Sequence, residues 1–191
     1  MELILGSALT LVAVGVVVTA ATRRRRSMAR NPAPTFVFAD LAGYTPLTEE
    51  RGDPAAARLA REFRRTMCAL SREHGATQVK SMGDGVMIWA PEAGQAVALA
   101  ARAVCEVGRR PDLLPVRVGV HTGPAVMQGC DWYGSAVNVA ARLACEAEPN
   151  QALVSAATQA AVRGQLEHRL VARREILLRG VGTPIAVWRL T

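Results

Sequence analysis

The sequence predicts an α+β domain with a ferredoxin-like βαββαβ core, preceded by one transmembrane helix. Three observations carry that expectation. A run of 20 uncharged residues, Leu3 to Thr22, ends in four consecutive arginines, Arg23 to Arg26. Beyond it, short apolar runs and longer stretches of helical period alternate in the order strand, helix, strand, strand, helix, strand. The chain has 191 residues, half of them hydrophobic, so the part after the anchor can build one packed core.

The N-terminal run comes first. At 1.5 Å per residue it spans about 30 Å as a helix, the thickness of a bilayer's hydrocarbon core. Glu2 is the only charge before it, and Arg30 adds to the arginines after it. The positive-inside rule then puts the body in the cytoplasm. A cleaved signal peptide would want basic residues before a shorter apolar stretch and no basic block behind it. Gly6 and Gly15 do not form a GxxxG pattern, so the helix carries no dimerisation signature of that type. The arginine block can also meet anionic lipid. The expected boundaries are 1–22 for the transmembrane helix, 23–34 for a basic juxtamembrane linker and 35–191 for the folded domain. The expected location is the cell membrane, single-pass, with the domain cytoplasmic.

Thr35 to Asp40 reads as a buried strand ending in an acid, because Phe36, Val37 and Phe38 are apolar at consecutive positions. The segment LAGYTPLTEERG reads as a loop. Asp53 and Pro54 then supply an N-cap and a first-turn proline. The helix they open runs to about His74, with Leu59, Phe63, Met67 and Leu70 on one face and Gly75 at its end. Thr77–Met82 and Val86–Trp89 form a hairpin joined at Gly83, Asp84 and Gly85. Pro91 opens a second long helix, ending near Gly108. Val116–His121 is a strand, Thr122-Gly123-Pro124 a turn, and Gly134–Ala147 a third helix. The tail adds a strand at Ala152–Ser155, a short helix, and strands near Glu175–Leu178 and Ile185–Leu190.

The formal charge of +7 invites a nucleic-acid reading, but residues 1–30 hold +4 of it. The body is mildly basic and poor in aromatics to stack on bases, so no nucleic-acid partner is expected. Cys68, Cys105, Cys130 and Cys145 form no C-x-x-C pair and read as buried thiols in a reducing compartment. There are 22 arginines and a single lysine, Lys80. In a chain so biased, a surviving lysine suggests a place where a guanidinium does not serve.

Two acids stand at informative places. Asp40 ends the first strand beside a glycine-containing loop, whose backbone N–H groups can hold phosphate oxygens. Asp84 lies at the tip of the hairpin. In a ferredoxin-like sheet the first strand pairs with that hairpin, so the two carboxylates meet. They repel unless a cation sits between them. Taken singly, each is also an ordinary turn aspartate. Asn138 and Arg142 are four residues apart on one helix and share a face, where arginine can brace a phosphate. Alone, such a pair is also an ordinary solvated helix face. His74 and His121 need no chemical role.

Four segments in order, FVFADLAGYT, QVKSMGDG, VRVGVHTG and DWYGSAVNVAAR, resemble the class III nucleotide cyclase catalytic domain. The resemblance covers roughly residues 34–191, and the fold it implies is the ferredoxin-like core of the class III cyclase type. It implies that Asp40 and Asp84, with the Leu41 carbonyl, hold two divalent cations, Mg²⁺ or Mn²⁺. The loop of Gly43, Tyr44 and Thr45 would cover the β- and γ-phosphates of ATP. Lys80 and Asp131 would read adenine, Asn138 would orient the ribose, and Arg142 would stabilise the transition state. Arg179 stands where relatives often carry a phosphate-binding lysine. The implied reaction is attack of the ATP 3′-hydroxyl on the α-phosphorus, giving 3′,5′-cyclic AMP and pyrophosphate. In the family the metal aspartates come from one subunit and Lys80, Asp131, Asn138 and Arg142 from the other, so a homodimer with shared sites is implied. The arm between His121 and Asp131 is shorter than in many relatives. A guanylyl cyclase and a non-catalytic nucleotide-binding or dimerisation module are the alternatives. A diguanylate cyclase would need a GG-D/E-EF type of hairpin, which GDGV is not.

Overall fold

The computed structural model describes residues 33–162 and 168–191. The Leu3–Thr22 run, and all of the linker before Ala33, lie outside the described residues. Among the described residues, no helix is long and apolar enough to cross a membrane.

The elements follow the expected order with additions. Strand β1 (Thr35–Leu41) leads into α1 (Tyr44–Arg51) and α2 (Asp53–Glu73), then β2 (Thr77–Met82), β3 (Gly85–Ala90), α3 (Ala93–Gly108) and β4 (Val116–Thr122). A ribbon, β5 (Val126–Gln128) and β6 (Asp131–Tyr133), precedes α4 (Ser135–Glu146). The chain continues with β7 (Gln151–Ser155), α5 (Ala156–Val162), β8 (Leu170–Ala172) and β9 (Val187–Leu190). The main sheet has seven strands in the order β2-β3-β1-β4-β7-β9-β8, and β5-β6 forms a separate two-stranded sheet. The first four strands are antiparallel in the ferredoxin-like order, while β7 joins β4 in parallel.

Alternation along β1 explains the layers. Val37, Ala39 and Leu41 face α2 and α3, meeting Phe63, Met67 and Leu70 from one helix and Ala96, Ala100 and Ala103 from the other. Phe36 and Phe38 face the opposite side, where they pack with Met87 under Ala136, Val137, Ala140 and Ala144 of α4. Helix α4 sits unusually close to the sheet. A Cβ on Gly119 of β4 would collide with the Ala140 carbonyl oxygen and the Ala144 amide nitrogen. Only glycine leaves room for that approach.

Four expectations need correction. The segment after β1 is not all loop, because Tyr44–Arg51 is helical, with Gly43 at φ 85° as its N-cap. Leu47 supplies its single buried side chain, so it lacks the apolar periodicity that would have announced it. Asp53 is not the N-cap of α2. Gly52 takes that place, no side chain caps the helix, and Asp53 lies in the first turn with Pro54. The strand expected at Glu175–Leu178 reduces to one bridge, Ile176 to Ile185, since Pro184 has no N–H to extend a ladder. The last strand is Val187–Leu190, paired with β7 and with β8. The four cysteines are free, but not buried as a set: Cys68 and Cys105 are half-buried, and Cys130 and Cys145 are exposed.

Candidate active site

Strand register builds the site. Asp40 is paired with Gly85 of β3 on one side and with Arg117 of β4 on the other. By alternation its carboxylate lies on the α4 face of the sheet, with Phe36 and Phe38. A Cβ on Gly85 would stand 3.3 Å from Asp40 Oδ1, so the glycine makes room for the carboxylate. The β2–β3 turn brings Asp84 beside it, and Gly83 takes φ 61° there. Burial, then the neighbouring Asp40 charge, push Asp84 above the ordinary carboxylate value. Its own backbone hydrogen bond and the Arg117 charge pull the other way. Two carboxylates held side by side form a site for a positive charge.

Arg117 partly supplies that charge, and the sequence reading missed it. Its Nη2 donates to Asp40 Oδ2 at 2.6 Å. Its Nε is buried with no partner among the described residues. The signal was present in V-R-V-G-V, where an arginine interrupts a buried strand. A charge there needs a counter-charge across the ladder.

The oxygen donors at this corner suit a hard divalent cation. Among the described residues no group of three or more acidic, histidine or cysteine side chains is placed to hold a metal ion by itself. Asp40 and Asp84 would therefore rely on backbone oxygens such as that of Leu41, on substrate oxygens and on water to complete a coordination shell. Gly43, Tyr44 and Thr45 lie at the start of α1, not in an open loop. The first N–H groups of a helix have no partner inside it, so this terminus can still receive phosphate oxygens.

Lys80 and Asp131, 51 residues apart in sequence, are joined: Nζ donates to Oδ2 at 2.6 Å. A bulge on β2 makes this possible. The register slips between Gln78 and Lys80, so Lys80 pairs with Met87 rather than with Val86. Without that slip its side chain would enter the α2–α3 core. Asp131 also accepts from the Trp132 backbone N–H at 2.8 Å. The Lys80 hydrogen bond, then that of Trp132, hold the Asp131 carboxyl below the usual carboxylate range. Asn138 and Arg142 are exposed on α4, one turn apart, while Val137, Ala140 and Ala144 of the same helix are buried. Arg179 is exposed in the turn after Leu178. His121 has the structural place expected of it. Its Nδ1 bonds Ser155 Oγ at 2.8 Å, and burial lowers its pKa to about 4.

Residues 27–190 match the family described as the adenylate and guanylate cyclase catalytic domain. The chain belongs to that family. An adenylate cyclase of Streptomyces griseus is 32% identical over 124 residues, covering 65% of this chain and 31% of that protein. An adenylate cyclase of Glutamicibacter nicotianae is 32% identical over 148 residues, covering 76% of this chain and 36% of that protein. The chain thus spans about a third of the length of these curated relatives. In fold it is similar to adenylate cyclases from Trypanosoma brucei solved in their monomeric state, with a TM-score of 0.77 at 22% identity, over 84% of this chain and 88% of that one.

Proposed function

We propose that the protein is an adenylyl cyclase, which converts ATP to 3′,5′-cyclic AMP and pyrophosphate at sites shared between two copies. The observation that carries this reading is the Lys80–Asp131 pair, 2.6 Å apart. It presents a donor and an acceptor side by side. Lys80 can donate to adenine N1, and Asp131 can accept from the 6-amino group. Guanine offers an N–H and a carbonyl at those places, so donor would meet donor and acceptor would meet acceptor. Two divalent cations, Mg²⁺ or Mn²⁺, would lower the pKa of the 3′-hydroxyl and neutralise the triphosphate. Asp40 and Asp84 would hold them, with the Leu41 carbonyl, and Arg117 would steady Asp40 when no cation is there. The free N–H groups at the start of α1, by Gly43, Tyr44 and Thr45, would receive phosphate oxygens. Asn138 would orient the ribose, and Arg142 would stabilise the charge that develops on the transferring phosphoryl group. Arg179 would meet phosphate from the C-terminal turn.

The same reading puts the catalytic body on the cytoplasmic side of the cell membrane, held by Leu3–Thr22. The charge-free run and the arginines that follow it support this. A topology assay with a reporter at the C-terminus tests it.

Activity decides the central claim. The full chain with Mn²⁺ or Mg²⁺ should form cyclic AMP from ATP and much less cyclic GMP from GTP. Asp84→Ala should lose at least about a hundredfold in turnover, as expected when a charge-stabilising group at a phosphoryl-transfer site is removed. Normal turnover in that variant would sink the metal-site assignment, and equal use of GTP would sink the base assignment.

A further inference from the structure

The β5–β6 ribbon poses a physical problem. It has three residues in each strand and forms a sheet of its own, with no ladder to the main sheet. An isolated two-stranded ribbon is marginal at best in water. Yet Asp131, its first β6 residue, must stand at a fixed place to meet Lys80 on the edge strand β2. Something other than backbone pairing has to hold it there.

Trp132 is built to do so. Its ring centroid lies 5.5 Å from that of Phe36, edge-on at 67°, and 5.5 Å from that of Trp89, stacked at 27°. Those two rings belong to β1 and β3, adjacent interior strands of the main sheet, and are paired across the ladder. Such aromatic contacts add specific geometry to the area they bury. The backbone N–H of Trp132 donates to Asp131 Oδ1, while Lys80 takes Oδ2. One residue therefore ties the ribbon to the sheet with its ring and aims the neighbouring carboxylate with its amide. The other large apolar side chains of the ribbon, Val126, Met127 and Tyr133, are exposed, so none of them anchors the ribbon by burial, although Tyr133 also hydrogen-bonds the Asp131 carboxylate.

We infer that Trp132 is a positioning residue for base selection: its ring, packed on Phe36 and Trp89, sets where Asp131 stands and so how strictly the Lys80–Asp131 pair reads a purine. The inference rests on the assignment of that pair as the base reader. Among the described residues, no hydrogen bond or aromatic contact joins Trp132 to Asp40, Asp84 or Arg142. Its loss should therefore act on nucleotide binding and choice more than on the chemical step.

The test uses the full chain with ATP and GTP in parallel. Trp132→Ala should raise KM for ATP about tenfold or more, a cost in keeping with a misplaced contact. It should narrow the ATP-over-GTP ratio of kcat/KM and change kcat less. Trp132→Phe, which keeps an aromatic face, should recover most of both. Where the alanine variant does not melt cooperatively, Trp132→Leu replaces it under the same criteria. The inference is overturned if the truncated variant keeps the parent's KM and nucleotide ratio, if kcat alone falls, or if phenylalanine recovers nothing. Lys80→Ala, run alongside, separates the two levels. If it leaves the nucleotide ratio unchanged, the base-reader assignment fails and takes this inference with it. If it shifts the ratio while Trp132→Ala does not, only the role of Trp132 fails. A parent without turnover of either nucleotide overturns both.

Discussion

Asp40 sits on a half-buried strand end between two influences of opposite sign. Asp84 repels it, and Arg117 attracts it through a 2.6 Å contact. The ion pair is partly shielded from water, with side chains 29% and 30% exposed, so removing one partner leaves a costly charge behind. Arg117→Ala should thus destabilise the metal-free protein by about 1–3 kcal/mol. A divalent cation bound to the folded state should offset that loss by mass action. The check is a pair of melts, one in EDTA and one in millimolar Mn²⁺. The variant should lie below the parent in EDTA and gain more than the parent from Mn²⁺. Equal gains would mean that Arg117 and the cation do not act on the same carboxylate. Asp40 and Asp84 were legible as a pair because strand end and hairpin tip are both marked by their local sequence. Arg117 was not, because its partner is set by register between strands 77 residues apart, which no local pattern records. The Lys80–Asp131 contact lies between these cases. The lone lysine drew notice, but the bulge that turns it to the α4 face has no signature in QVKSM.

Among the elements, α4 shows how tightly site geometry depends on packing. It carries Asn138 and Arg142 outward only because Gly119 lets its backbone settle onto β4. Gly119→Ala places a methyl group against backbone atoms of Ala140 and Ala144, which cannot step aside as a side chain can. The cost should be about 3 kcal/mol, the upper part of the usual overpacking range. It should appear as a lower urea midpoint with an unchanged slope, since the surface exposed on unfolding hardly alters. Activity should fall beyond what the unfolded fraction explains, because helix and site residues shift together. A midpoint unchanged from the parent would show that α4 can move away freely. The long elements were readable from period alone: α2 through Phe63, Met67 and Leu70, and β1 through its continuous apolar run. Helix α1 was not, because it buries one side chain and is held by its neighbours. The C-terminal strands were placed imprecisely, because strand length there depends on a partner ladder that Pro184 cuts short.

For the whole molecule the question is whether one copy suffices. The seven-stranded sheet gathers Asp40, Asp84 and Arg117 at one corner, while Asn138 and Arg142 stand exposed on α4. If the site is split between copies, a homodimer holds two equivalent sites, each drawing its metal aspartates from one subunit and its other residues from the partner. Asp40→Ala and Asn138→Ala homodimers should each be inactive, since every site in either is broken. When both variants are co-expressed, a mixed dimer has one site with both defects and one with none. Random pairing makes half of the dimers mixed, so recovery to about a quarter of the parent's activity is expected. No recovery would place all the site residues in one subunit and remove the need for a dimer. A split site also makes specific activity rise with protein concentration in detergent. Confinement to a bilayer would flatten that dependence by raising the effective concentration of partners. Comparing the full chain diluted in detergent with the full chain mixed with lipid vesicles over the same range of protein tests both statements, and a flat profile in detergent would argue for a dimer that holds without lipid.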